Sequence, residues 1–170
     1  MPTIIRVVRV LAVTVVVALT ASLSLATPPL MDQLEYESES TSVSVRSGTW
    51  MTLPRSQRVN ELRLAEVTRC SAIGGPVGRW RIRENRLWLV GLHTCGEKHS
   101  LESVYGISGD AVFADWITAD LVTHRGKALC GDSYIGIVWE RDVTLKIEIG
   151  VLKEVVEVSN ANHPCLALRK

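Results

Sequence analysis

The chain has 170 residues, 46% of them hydrophobic and 22% charged, with a formal net charge of +1. That is enough for one domain, too apolar to be wholly disordered, and it lacks the period of a collagen or a solenoid. The balanced charge argues against a domain that grips nucleic acid through its phosphates, because such domains are strongly basic.

The clearest signal lies at the start. Arg6 and Arg9 precede an uncharged run from Val10 to Met31 that includes Leu11, Val13, Val15, Val16, Val17, Leu19, Leu23 and Leu25. As a helix this run would be roughly 33 Å long, enough to cross a hydrocarbon core of about 30 Å. Pro28 and Pro29 stop it, since proline cannot continue a helix. The two arginines mark the near side of the membrane, so the remainder is expected on the far side. Residues 1–31 read as either an uncleaved anchor or a secretory signal cleaved near Ala26, after Ser24-Leu25-Ala26. The run exceeds the usual signal core of about 7–15 residues, which favours the anchor. Residues 1–26 hold two arginines and no acid, so the exported part is close to neutral.

Residues 32–48 follow as a polar stalk or edge strand, with Glu35, Glu37, Ser38, Glu39, Ser40, Thr41 and Ser42 ahead of an alternation at Val43 and Val45. Residues 49–170 form the expected β domain. Val59 to Val67 is a possible strand. Ile73-Gly74-Gly75-Pro76-Val77-Gly78 is a connector that matches neither GxGxxG nor GxxxxGK[ST]. With Glu84-Asn85 at a hairpin tip, Arg83 faces Arg86, Ile82 faces Leu87 and Trp80 faces Leu89. One face is then apolar, and Arg81, Arg83, Arg86 and Trp88 share the other. That Arg/Trp face is the candidate partner-binding surface.

Leu101 to Tyr105 predicts a short helical turn. Residues 111–123 fit a strand better than a helix, and Arg125-Gly126 reads as turn chemistry with His124 beside it in a loop. A second hairpin is expected around Arg141-Asp142, between a central strand over Tyr134 to Glu140 and a half-buried strand carrying Val143, Leu145, Ile147 and Ile149. Gly150 would be a bulge before Val151 to Val158.

Cys70, Cys95, Cys130 and Cys165 all lie beyond the apolar run, and an even number in an exported domain points to disulfides. Three pairings are open, with Cys70–Cys95 and Cys130–Cys165 favoured. His93-Thr94-Cys95 and His163-Pro164-Cys165 would instead offer two histidines and two cysteines to zinc, with His99 nearby, but at poor spacing.

Catalysis has little to stand on. His93, His99, His124, Asp110, Asp115, Asp120, Asp132, Ser108 and Ser133 are available, yet no GxSxG, HExxH or EF-hand pattern occurs. No catalytic residue, metal ligand or cofactor is assigned. The expectation is a mainly β fold, a small antiparallel sandwich or open barrel behind one N-terminal apolar helix. Its function would be non-enzymatic: a cell-envelope protein bound to the membrane through residues 10–31, or periplasmic or secreted after cleavage. The exported domain would bind a protein partner, as an assembly component or a toxin inhibitor or immunity factor. A small hydrolase using His93 or His124 with Asp115 or a serine, and a His/Cys metal-binding module, are the alternatives.

Overall fold

The Ser- and Glu-rich stretch after the apolar run goes straight into a sheet. The computed structural model describes residues 30–69, 75–132 and 136–169. In it β1 (Asp32–Tyr36) and β2 (Glu39–Val45) form an antiparallel hairpin that turns at Glu37-Ser38, both at positive φ. Asp32, Leu34 and Val43 point into the interior, at 0%, 0% and 1% exposure, while the hydroxyls and glutamates between them face outward or lie part-buried. This strict alternation makes strands of a segment whose composition suggests a stalk. Neither strand is an edge. β1 also pairs in parallel with β3 (Val77–Arg83), Leu34 beside Trp80, and β2 pairs with β7 (Ala119–Asp132).

Trp50 to Ser56 has no regular secondary structure and leads into α1 (Gln57–Arg69), where a strand was expected over Val59 to Val67. The Ser56 hydroxyl accepts from the Val59 amide at 3.0 Å and starts the helix. Glu61, Leu62, Arg63, Leu64 and Ala65 are strong helix formers, and Val59 and Leu62 share the buried side at i, i+3. The β-branched valines are overruled by what lies between them.

β3 and β4 (Arg86–His93) pair in the expected register: Arg83 with Arg86, Ile82 with Leu87, Arg81 with Trp88 and Trp80 with Leu89. Trp80, Leu87 and Leu89 are each at most 1% exposed. The outer edge of β4 is then shared in sequence by β5 (Lys98–His99), β6 (Val112–Phe113) and the start of β9 (Val151–Ser159). α2 (Leu101–Tyr105) is the expected helical turn, capped by Ser100 and closed by Gly106 in the left-handed region. Within 111–123, β6 and the start of β7 are separated by a turn, and no helix forms.

Arg141-Asp142 is no hairpin tip. β8 (Gly136–Glu148) runs through it, pairing Arg125 with Arg141 and His124 with Asp142 on β7. The connection from β7 to β8 lies at residues 133–135, outside the described residues, as do Tyr134 and Ile135 of the expected central strand. β8 and β9 turn at Ile149-Gly150, so Gly150 is a turn residue and not a bulge. Arg125-Gly126 sits inside β7, where the register shifts between Arg125 and Ala128. Charged pairs read as turns from sequence because β7, β8 and β9 reach beyond the core, where both faces of a strand meet water.

All nine strands among the described residues belong to one sheet, so the fold is mainly β, and no second sheet is stacked on the first among those residues. The pairings run β3-β1-β2-β7-β8-β9-β4 and return to β3 through the hairpin, the β9–β4 link resting on Arg86 and Val151. The interior is filled by Leu34, Trp80, Leu87, Leu89, Leu121, Val143, Leu145 and Ile147, with Met51, Val59 and Leu101 closing one side. No helix among the described residues is long and apolar enough to cross a membrane. The N-terminal apolar helix expected over residues 10–31 lies outside them up to residue 29.

Candidate partner-binding surfaces

The Arg/Trp face predicted from the hairpin is assembled, and Phe113 of β6 joins it. The Arg81 guanidinium binds the Glu35 carboxylate at 2.8 Å. Arg83 lies 5.8 Å over the Trp88 ring and Arg86 lies 5.6 Å over the Phe113 ring. The two rings meet at 5.6 Å in a tilted pair. Each arginine of the like-charged pair therefore has an aromatic face of its own, which offsets the repulsion expected across the strands. The Trp88 indole nitrogen is buried and has no hydrogen-bond partner. Phe113 was not legible as a member, because it arrives from a two-residue strand after a long loop.

A second concavity, a polar cleft of about 540 Å³, is lined by Gln33, Glu39, Ser40, Thr41, Ser42, His124, Gly126 and Trp139. His124 is a strand residue and not a loop residue. Its imidazole lies flat on Trp139, with centroids 4.0 Å apart and planes 16° from parallel. Burial lowers its pKa below the ordinary value, against an opposing pull from Asp142. His93, at the end of β4, is also lowered, by burial first and then by Arg79 and Lys98. The acid facing His124 in register is Asp142, and Asp115 is not among the lining residues of the cleft. Asp120 pairs with Arg46 at 3.3 Å, and Ser108, Asp110 and Asp115 are exposed. His99 meets the Thr94 hydroxyl at 3.0 Å. Ser133 lies outside the described residues.

Beside the cleft, Arg125 binds Glu37 and Glu157 at 2.6 Å each and sits 4.9 Å from the Tyr36 ring centroid. Its side chain is only 14% exposed. The arrangement pins the β1–β2 turn to β7 and β9. Burial, followed by the neighbouring Glu37, raises the Tyr36 phenol, and Tyr36 and Arg125 in turn lower Glu37.

Cys130 and Cys165 form a disulfide, the favoured pairing, with a sequence separation of 35. Cys95 is also disulfide-bonded, while its expected partner Cys70 lies outside the described residues. The His163 Nδ1 lies 2.9 Å from the Cys165 sulfur, and ligand atoms of Cys130, His163 and Cys165 fall within 4.8 Å of one another. Zinc needs thiolates, and Cys95 and Cys165 of the four-residue zinc set are both spent in disulfides.

A further exposed surface is the outer half of β9. Every residue from Lys153 to Ser159 is exposed, and Val155, Val156 and Val158 are at 38%, 37% and 56%. β9 pairs with β8 along one side, whereas on its other side Arg86–Val151 is the pairing among the described residues. The Leu152 amide donates to the Asn85 carbonyl at 2.8 Å, and from Lys153 onward no strand among the described residues pairs with this side of β9. The Val-x-Val alternation predicts the strand but not that its edge stays open. Comparison with known protein families, curated proteins and solved structures finds no match for this chain.

Proposed function

We propose that the protein is a non-enzymatic envelope component: an exported open barrel, held at the membrane by residues 10–31, that recognises a protein partner by strand addition along β9. The open edge of β9 from Lys153 to Ser159, with three exposed valines, carries this reading. An unpaired edge is a template for another strand, and the charges along this one, Lys153, Glu154 and Glu157, limit which strands can pair with it. The hydrogen-bonding edge supplies affinity, and side chains on both faces supply selectivity. Arg83 and Arg86 stand at the end of β9 fixed by the Arg86–Val151 pair, so an acidic residue at the matching end of the partner would meet them.

The test is a photo-crosslinking side chain at Val156, with an identical probe at Leu64 as control; Leu64 is 74% exposed on α1. In the native envelope, position 156 should give one adduct of defined mass, and Val158→Lys in the same chain should abolish it. Equal adducts from both positions, or an adduct indifferent to Val158→Lys, would sink the strand-addition reading. A small-hydrolase reading draws on the cleft that gathers His124 with Ser40 and Ser42. It requires His124→Ala to abolish turnover, whereas partner capture would survive that change.

A further inference from the structure

We infer that the face carrying Trp50, Ile107 and Trp116 lies against the interfacial layer of the bilayer that holds the apolar segment. The inference rests on the anchored reading of residues 10–31 and adds an orientation to it.

The first support is the shortness of the linker. The apolar run ends at Met31, and Asp32 is already fully buried as the first residue of β1. A domain joined to a membrane span through Pro28 to Met31 alone is held close to the bilayer and favours one face toward it. The second support is what stands at that junction. The Trp50 indole donates to the Leu30 carbonyl at 2.8 Å, so this ring sits at the point where the chain enters the apolar segment. Two residues on, the Thr52 carbonyl accepts from the Trp116 indole at 2.9 Å, and the Pro54 carbonyl accepts from the Tyr105 hydroxyl at 3.3 Å. Segment 50–54 thus links the junction to the residues around a hollow of about 370 Å³. Pro54, Leu89, Tyr105, Ile107, Val112 and Trp116 line that hollow.

Chemistry selects lipid as the occupant. Trp50, Ile107 and Trp116 are 40%, 37% and 36% exposed, a costly arrangement against water alone. Tryptophan concentrates at membrane interfaces because one end is apolar and the other polar. Here both indole N–H groups are already satisfied by backbone carbonyls, so the rings can enter the acyl boundary without stranding a donor. Arg55, exposed and next in sequence to the lining residue Pro54, offers a cation to a headgroup phosphate.

The experiment uses the full chain in phosphatidylcholine vesicles, with and without lipid brominated near the top of the acyl chain. Flotation after a carbonate wash reports anchoring; tryptophan quenching reports the face. Two of the five tryptophans lie on the face, so up to roughly two-fifths of the emission should be open to bromine. Trp50→Phe and Trp116→Phe should each remove about half of that quenching. Ile107→Asp, a loop change that keeps every tryptophan, should weaken it at least about twofold. Floating chains without bromine quenching would overturn the proposed face while the anchor survives. Chains that do not float would overturn the anchored reading and the orientation with it. Trp116 shielded from aqueous acrylamide until residues 1–29 are removed would mean that the leader covers the hollow instead, which also overturns the inference.

Discussion

Asp32 is the residue on which the most depends. Its carboxylate is fully buried and accepts from the Gly78 amide at 2.7 Å, the Met51 amide at 2.9 Å and the Trp80 indole at 3.0 Å. Burial pushes its pKa above the ordinary value, and those three donors pull the other way. Gly78 is part of the same arrangement, because a Cβ there would run into the Trp80 ring. Asp32→Ala would strand three buried donors, at a cost of about 3 kcal/mol or more. Asp32→Asn keeps one acceptor but turns an amide toward a donor, so its cost should fall between wild type and alanine. Urea unfolding midpoints of the three proteins check the order; an unchanged midpoint for Asp32→Ala would refute it. None of this was legible in the sequence. Asp32 reads as the first polar residue after an apolar run, and two of its partners lie more than forty positions away.

Among the elements, the β3–β4 hairpin was legible to the residue because its determinants are local: alternation on both arms and a polar pair between them. The structure adds that Glu84 and Asn85 have φ of 54° and 56°. Asparagine tolerates the left-handed region and glutamate does so poorly. Replacing the pair by Asn-Gly should therefore raise stability by about 1 kcal/mol, read as a higher thermal midpoint. α1 was misread because valines at both ends of a short apolar segment suit a strand, while its cap and one buried side declare a helix only once the packing is known. Arg141-Asp142 misled for the opposite reason. Arg141 reaches Glu157 at 3.3 Å across two strands that run on past the core, so charge there marks a solvated strand and not a turn.

At the scale of the molecule, strand alternation pointed to the β class, and Cys130–Cys165 was the favoured one of the pairings that the sequence left open. The parallel β1–β3 pairing and the placement of the N-terminal hairpin inside the sheet were not accessible, since both depend on partners distant in sequence, Leu34 with Trp80 and Ser44 with Val122. The disulfide ties the C-terminal 3-10 turn (Pro164–Arg169) to β7. In the chain-entropy model, closing such a loop stabilises the fold by on the order of 3 kcal/mol. Replacing Cys130 and Cys165 with serine should lower the unfolding free energy by about that amount and release the tail to proteolysis while the Trp80 core persists. A protein whose midpoint and tail protection are unchanged would show that the bond is dispensable.

The position of the first hairpin also sets a timetable for biogenesis. β1 and β2 are made first, yet β1 must wait for β3 and β2 for β7, which begins only at Ala119. At a synthesis rate of about 5–20 residues per second, both flanks of the nascent hairpin stay unpaired for seconds. During that interval Leu34 and Val43, later sealed inside, have no interior to enter. The newborn chain is therefore most vulnerable to wrong strand pairing at its beginning, and a holdase acting on it would be needed there before anywhere else.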